Sequence, residues 1–378
     1  MFPRDVFDAD HELIRQTARQ FCEREIAPYH DAWEKQGVVP RSAWLRAGEL
    51  GLLCTGVPAE YGGAGLDFRA TVVLIEELLR IGATGPGFVL HSDIVAPYLV
   101  DHGSEALKRA WLPRMIRGEI VTAIAMTEPG TGSDLQAVST RAVRDGDQYV
   151  IQGSKTFITN GQSADFVIVV AKTAPEGGAR GLSLILVEAD RPGFRRGRRL
   201  EKIGMKAQDT SELFFDDVRV PVGNRIGEEH AGFACLMAGL AQERLIIAVQ
   251  AVAAARAVLQ HTIEFTRGRK LFGGTTFDFQ NTRFVLARAA AQLEVAQVFT
   301  DRCVALHVEG RLDATMAATA KFTATEMQNK LIDDCLQLHG GYGYMWEYPV
   351  ARAWADARAQ RLYGGANEIM LELIARAL

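Results

Sequence analysis

Apolar positions recur at three- and four-residue spacing through "HELIRQTARQFCEREIAPY" (11–29) and again through "ATVVLIEELLRIGA" (70–83). That period predicts amphipathic helices over about residues 6–117, punctuated by Gly and Pro clusters at Val57–Gly65 and Gly82–Gly87. Between about 121 and 222 the pattern changes. "DQYVIQGSKTFITN", "DFVIVVAKT", "LSLILVEAD" and "SELFFDDVRVP" are short runs rich in Val, Ile, Phe and Tyr, bounded by Gly, Asp, Asn and Pro. They read as strands of an antiparallel sheet. From about 230 long helices return, Ala-rich at 248–258 and 286–296, with a last helix at about 367–377. The order helices, strands, helices lacks the β-α alternation of a doubly wound sheet. No G-x-G-x-x-G opens a β-α-β unit, so a dinucleotide would have to be held in another way.

The 378 residues, 48% hydrophobic and 23% charged, suit a globular chain of roughly two or three domains. We place the divisions at 1–119, 120–225 and 226–378. A net charge of −4 argues against a general nucleic-acid binder. Cys22, Cys54, Cys235, Cys303 and Cys335 show no C-x-x-C spacing, which predicts a reducing, cytoplasmic setting with no disulfide framework and no zinc site. Asp5, Asp8 and Asp10 near the start are unlike a signal or transit peptide. The apolar run Leu245–Leu259 is interrupted by Gln250 and Arg256 and is shorter than the ~20 residues of a membrane span, so we expect a buried helix.

Five stretches suggest chemistry. "AMTEPGTGSD" (125–134) offers glycines and backbone N–H groups suited to a flat ring or a phosphate; a tight polar turn explains the same letters. In "KTFITNG" (155–161), strand alternation puts Phe157 and Thr159 on one face, fit to flank an isoalloxazine, while a strand ending in an Asn-Gly turn accounts for it equally. "RGRKLFGGTTFDFQ" (267–280) holds Arg269, a fixed fork for a pyrophosphate, and Gln280 beyond a Gly-Gly loop, or else solvated basic residues. In "LAQERLIIAVQAVAAARAVL" (240–259), Gln242, Glu243 and Arg244 fan over about 200° of a helix that is otherwise apolar, so at least one of them faces the interior unless the first turn is frayed. Finally, the Gly pairs 340–341 and 364–365 within "QLHGGYGYMWEYP" and "YGGANEIM" permit close backbone approach to a ligand, with His339 read as a packed or capping histidine.

Taken together and in order, "TEPGTGSD", "FITNG", "RKLFG" with a downstream Gln, "QLHGGYGYMWEYP" and "YGGANEIM" resemble the acyl-CoA dehydrogenase family over essentially the whole chain. The resemblance implies an α+β multidomain fold: an N-terminal helical domain, a middle antiparallel β-domain and a C-terminal four-helix bundle. It further implies a homotetramer with FAD at the subunit interface, an acyl-CoA substrate and an electron-transfer flavoprotein as acceptor. Carried over by position, Ile124, Met126, Thr127, Gly132, Ser133, Phe157, Ile158 and Thr159 line the flavin. Arg269, Phe272 and Gln280, with Gln337, Leu338, His339, Gly340 and Gly341 from a neighbouring subunit, hold the adenosine half. Ala366, Asn367 and Glu368 form another FAD contact. Ser133, Arg244, Tyr363, Gly364 and Gly365 fall at substrate positions. Leu271 and Phe157 depart from the Thr or Ser and the Trp common at those places.

Family chemistry removes the α-proton of a saturated thioester while the β-hydrogen leaves as hydride to flavin N5, giving the trans-2-enoyl thioester. It needs a carboxylate base and donors to the thioester carbonyl. Members resembling the medium-chain enzymes carry that Glu directly after the Tyr of the C-terminal motif, where this chain has Gly364. The long-chain and isovaleryl branches place it on a bundle helix before an Arg, which here is Glu243-Arg244. The resemblance thus assigns Glu243 as base and the Gly364 N–H as a carbonyl donor. Three other readings stand beside this one. The run "RPGFRRGRRLEK" (191–202) suits either an acidic acyl-carrier protein or plain solvation; an oxidase would hand its electrons to oxygen; a scaffold without a base would not bleach a flavin.

Overall fold

The computed structural model describes residues 3–378. Six helices come first: α1 (Ala9–Phe21), α2 (His30–Gln36), α3 (Arg41–Glu49), α4 (Phe68–Arg80), α5 (Ala96–His102) and α6 (Glu105–Ile116). Their starts are written in the sequence. Asp8 accepts from the Asp10 and His11 N–H groups, Asp67 from Arg69 N–H and Ser104 from Leu107 N–H, so each side chain satisfies an otherwise orphaned donor. Helices α1 and α4 are bolted together by Arg15 with Glu76 (2.7 Å) and Arg19 with the buried Glu77 (2.8 Å). Two π-helical turns interrupt the regular helices, Cys22–Ile26 and Leu90–Val95; the second leads directly into α5. Such turns were not legible from periodicity, because one extra residue per turn only shifts the phase of the pattern.

The middle of the chain forms β1 (Thr122–Ala125), β2 (Arg141–Asp145), β3 (Gln148–Thr159), β4 (Phe166–Lys172), β5 (Leu182–Glu188), β6 (Phe194–Arg199), β7 (Thr210–Pro221) and β8 (Arg225–Ile226), in one sheet of order β6-β7-β3-β2-β4-β5-β8. The neighbours pair antiparallel as expected, apart from a single parallel pair between β2 and β4 and the parallel pairing of β1 with β4. The intervening β2–β3 hairpin is the long connection that a parallel neighbour requires. Fully buried Val167, Val169, Ile185, Val187 and Leu213 make the interior of this sheet.

The remaining helices are α7 (Gly232–Gly268), α8 (Gln280–Val308), α9 (Ala314–His339), α10 (Pro349–Gln360) and α11 (Asn367–Ala375). A small hairpin (Lys270–Leu271 with Gly274–Thr275) separates α7 from α8, so Arg269 and Gln280 do not share a continuous helix. Helix α7 runs for 37 residues, well beyond the apolar run in the sequence, and by length and composition it is able to cross a membrane. The length argument against a span is therefore corrected; burial is what decides. Leu245, Ala248, Ala251 and Ala255 are wholly enclosed, within a core shared with α4, α8 and α9.

Candidate active site

Glu243 lies in the first half of α7, where the apolar surround forces its side chain inward: the residue is 8% exposed. The Tyr98 hydroxyl on α5 donates to its Oε1 at 2.9 Å. Burial raises the carboxyl's pKa, opposed by the Tyr98 hydrogen bond and by the charge of Arg244. Such a group takes a proton more readily than an exposed glutamate. Arg244 is also buried, and its Nε has no hydrogen-bond partner among the described residues. Gln242, the third member of the fan, is half-buried and spent on structure: it donates to the Asp93 carbonyl (2.6 Å) and pairs with His307 (2.9 Å).

Gly364 and Gly365 connect α10 to α11 with φ of +65° and +87°, two successive left-handed residues that only glycine adopts readily. A Cβ on Gly364 would stand 2.3 Å from Ile247 Cδ1, one helical turn after Glu243. The loop therefore rests directly on the face of α7 that follows the carboxylate, and among the described residues the Gly364 N–H has no hydrogen-bond partner. Gly364→Ala is expected to lower stability by about 1–3 kcal/mol through the φ penalty and the Ile247 contact. Thermal melting of the variant reads this; a melting curve superimposed on that of wild type would contradict it.

Lys321 on α9 fixes this loop, and sequence reading missed it. Its ammonium is wholly buried and donates to the Gly365 carbonyl (2.6 Å) and Asn367 Oδ1 (2.9 Å). Burial, reinforced by the charge of Arg244, brings its pKa down to about 8. Asn367, expected as a FAD contact, has its amide engaged inside the chain with Lys321, Thr325 and Glu326. Asn367 thus anchors the first turn of α11 through its side chain. Ala366 is half-buried, and Tyr363 and Glu368 are exposed.

A second cluster joins the "TEPGTGSD" loop to β3. Thr156 N–H donates to the Thr127 carbonyl (2.9 Å), and buried Lys155 donates to the Met126 carbonyl (3.0 Å) and to Glu128 Oε1 (2.8 Å). Glu128 also accepts from Ser139 and from Thr140 N–H. Burial works to raise its carboxyl, but Lys155 and these donors outweigh it and hold the pKa at about 2. Along β3 the simple alternation fails at Phe157, which adopts φ +59° where the register with β7 slips between Lys155 and Ile158. Phe157 is 67% exposed, Thr159 half-buried and Ile158 buried. Ile124 and Met126 are half-buried, while Gly132 and Ser133 are exposed with open space beside Gly132. An open Gly-rich loop next to an exposed aromatic ring and a hydroxyl is a surface that fits a flat ring system.

A third group lies at the end of the helical bundle. The Arg269 guanidinium sits over the Tyr342 ring (5.1 Å) and Phe265 stacks on His339 (4.2 Å). His339 is buried and bonded to the Cys335 carbonyl (2.9 Å), a packed histidine. Arg269, Phe272, Gln280, Gln337, Gly340 and Gly341 are exposed and Leu338 is half-buried. Among the described residues no hydrogen bond joins this corner to the 126–133 loop. In the basic run, Arg191 pairs with Glu188, Arg196 donates to the Ala164 carbonyl and Arg199 to the Gln36 carbonyl, so these guanidiniums hold the edge strand rather than project for a partner.

Family models described as acyl-CoA dehydrogenase N-terminal, middle and C-terminal domains match residues 8–119, 123–218 and 230–378. The long-chain specific acyl-CoA dehydrogenase of Sus scrofa mitochondria is 48% identical over 377 residues, covering 99% of this chain and 88% of that protein. The solved acyl-CoA dehydrogenase of Geobacillus kaustophilus is 45% identical, with 99% of each chain covered and a TM-score of 0.97. A Mycobacterium smegmatis glutaryl-CoA dehydrogenase, solved in complex with FADH2, superposes with a TM-score of 0.92 at 28% identity, covering 98% of this chain and 95% of the other.

Proposed function

The chain belongs to the acyl-CoA dehydrogenase family, and from that premise we propose that it is an FAD-dependent oxidoreductase converting a saturated acyl-CoA to the trans-2-enoyl-CoA, with Glu243 as the α-proton base. The observation that supports this most is the buried Glu243 carboxylate one helical turn from Ile247, on which rests the Gly364 loop, whose N–H at 364 has no partner among the described residues.

In this reading the thioester lies between α7 and the 363–365 loop. The Glu243 carboxylate takes the α-proton, and its burial keeps water from competing for that proton. The Gly364 N–H donates to the thioester oxygen, where charge grows as the proton departs. Arg244 supplies positive charge beside the base, and Tyr363, Gly365 and Ser133 bound the thioester region. Bound FAD supplies the acceptor for the β-hydrogen as hydride at N5. The surface made by Ile124, Met126, Thr127, Gly132, Ser133, Phe157, Ile158 and Thr159 is proposed to hold the flavin ring, aided by the backbone of Ala366–Glu368. Arg269, Phe272, Gln280 and Gln337–Gly341 form a separate corner, and we assign them to the adenosine half of the cofactor of a neighbouring subunit. That assignment calls for at least two subunits; we propose a homotetramer, and the exposed Phe272, Phe284 and Val295 suit a subunit contact. We further propose a cytoplasmic enzyme that passes its electrons to an electron-transfer flavoprotein.

The test is anaerobic mixing of the flavin-loaded protein with a panel of saturated acyl-CoAs, long chains first because the pig relative is named long-chain specific. Bleaching of the flavin with formation of trans-2-enoyl-CoA is the expected result. Bound flavin that no member of the panel bleaches would overturn the assignment.

A further inference from the structure

Tyr98 stands out as a buried phenol whose only role in the architecture is not packing. It sits on α5, 3% exposed, yet its hydroxyl is aimed across the helix boundary at Glu243 Oε1, 2.9 Å away. Space for this contact is kept open by Gly239, one turn before Glu243 on α7. A Cβ there would lie 3.0 Å from the Tyr98 hydroxyl oxygen and 3.3 Å from Glu243 Oε1. From the position of Tyr98 on α5, facing the base, we infer that it is a positioning residue for proton abstraction: its O–H fixes the orientation of the Glu243 carboxyl group and favours the charged form through a direct hydrogen bond. This rests on Glu243 being the base.

The physical argument has three steps. A hydrogen bond to the charged form of a carboxylate favours that form, and the bond is stronger where the pair is dry. Burial otherwise drives the Glu243 carboxyl upward, and Tyr98 is the first of the two groups that oppose it. Tyr98 itself stays protonated, because burial and the negative charge of Glu243 both hold its own pKa far above the ordinary phenol value. It therefore acts as a donor throughout the working range and does not compete for the substrate proton. Second, the bond engages Oε1, leaving Oε2 as the oxygen with open lone pairs for the α-proton. Third, Arg244 gives charge but no hydrogen bond to Glu243, since adjacent helical residues point to different faces; the orienting bond comes from Tyr98.

The other titratable groups around the pair do not replace it. Arg244 on the same helix lowers the Glu243 pKa by charge, and Cys235, two turns earlier, faces Tyr98. Lys321 on α9 is held by Gly365 and Asn367 and feels the charge of Arg244, but is not among the groups that shift Glu243. Asp93, in the π-turn before α5, takes its hydrogen bond from Thr71 and offers only its backbone carbonyl to Gln242.

The experiment is the pH dependence of anaerobic flavin reduction by a saturated acyl-CoA in the flavin-loaded protein, for wild type, Tyr98→Phe and Gly239→Ala, with Glu243→Gln alongside. Phenylalanine keeps the ring and its packing and removes only the donor. The acid limb of the Tyr98→Phe profile is expected to move up by about one pH unit, with the plateau rate at high pH reduced less than the rate at low pH. Gly239→Ala, whose methyl group enters between the two side chains, is expected to shift the limb in the same direction and decides the matter if Tyr98→Phe does not fold. A Tyr98→Phe profile superimposed on that of wild type, with Glu243→Gln strongly slowed, would overturn the role of Tyr98 and leave the base assignment standing. Wild-type-like reduction by Glu243→Gln would remove the base assignment and the inference with it.

Discussion

Replacing Glu243 by Gln is expected to slow anaerobic reduction of the bound flavin by acyl-CoA about 10²- to 10⁴-fold, the usual range for loss of a general base. Glutamine has nearly the same shape and still accepts from the Tyr98 hydroxyl, so α7 and its contacts with α5 should persist. Flavin content and melting temperature are therefore expected to stay near those of wild type, which separates a lost proton acceptor from a damaged fold. Stopped-flow absorbance under nitrogen measures the rate directly. Reduction of the variant at the wild-type rate would send the search for the base elsewhere, since position 364 carries no side chain.

The second large effect is expected at Lys155. Its buried ammonium holds the Met126 carbonyl and the Glu128 carboxylate, and so fastens the 126–133 loop to β3. Lys155→Met removes the cation but leaves Glu128 buried and charged beside Ser139 and Thr140. Breaking one half of a buried ion pair typically costs about 3–5 kcal/mol. The variant should melt well below wild type and release flavin on gel filtration, because the proposed ring-binding loop loses its tether. Unchanged melting together with full flavin retention would show that the Glu128 hydrogen bonds to Ser139 and Thr140 hold the loop unaided.

Much of this architecture was legible from periodicity alone. The change from three- and four-residue spacing to short β-branched runs marks the sheet, and the return to Ala-rich helices marks the bundle. The fan of Gln242, Glu243 and Arg244 on an apolar helix foretold a buried polar group, and two of the three are buried. What escaped was long-range or irregular. Lys155 and Lys321 drew no reading at all, because nothing local announces that Glu128, 27 residues away, or the Gly365 carbonyl, 44 residues away, will enclose them. Tyr98 lies 145 residues from Glu243, too far for any spacing rule. The left-handed Phe157 was hidden because a bulge inserts one residue into a pattern of period two. Asn367 entered only through the family resemblance of "YGGANEIM", and no spacing rule foretold that its amide closes a network with Thr325 and Glu326 within the bundle.

Ile247 fills the volume into which a side chain at position 364 would project. The helix and the loop are thus rival addresses for a carboxylate, and this chain has settled the competition by packing as well as by sequence. An order of substitutions follows. The Ile247 Cδ1 methyl has to turn aside or be removed before an acidic residue enters at 364, and only after that entry would Glu243 be free to be lost. Taken in the reverse order, the path passes through a chain that is either overpacked at the loop or without a base.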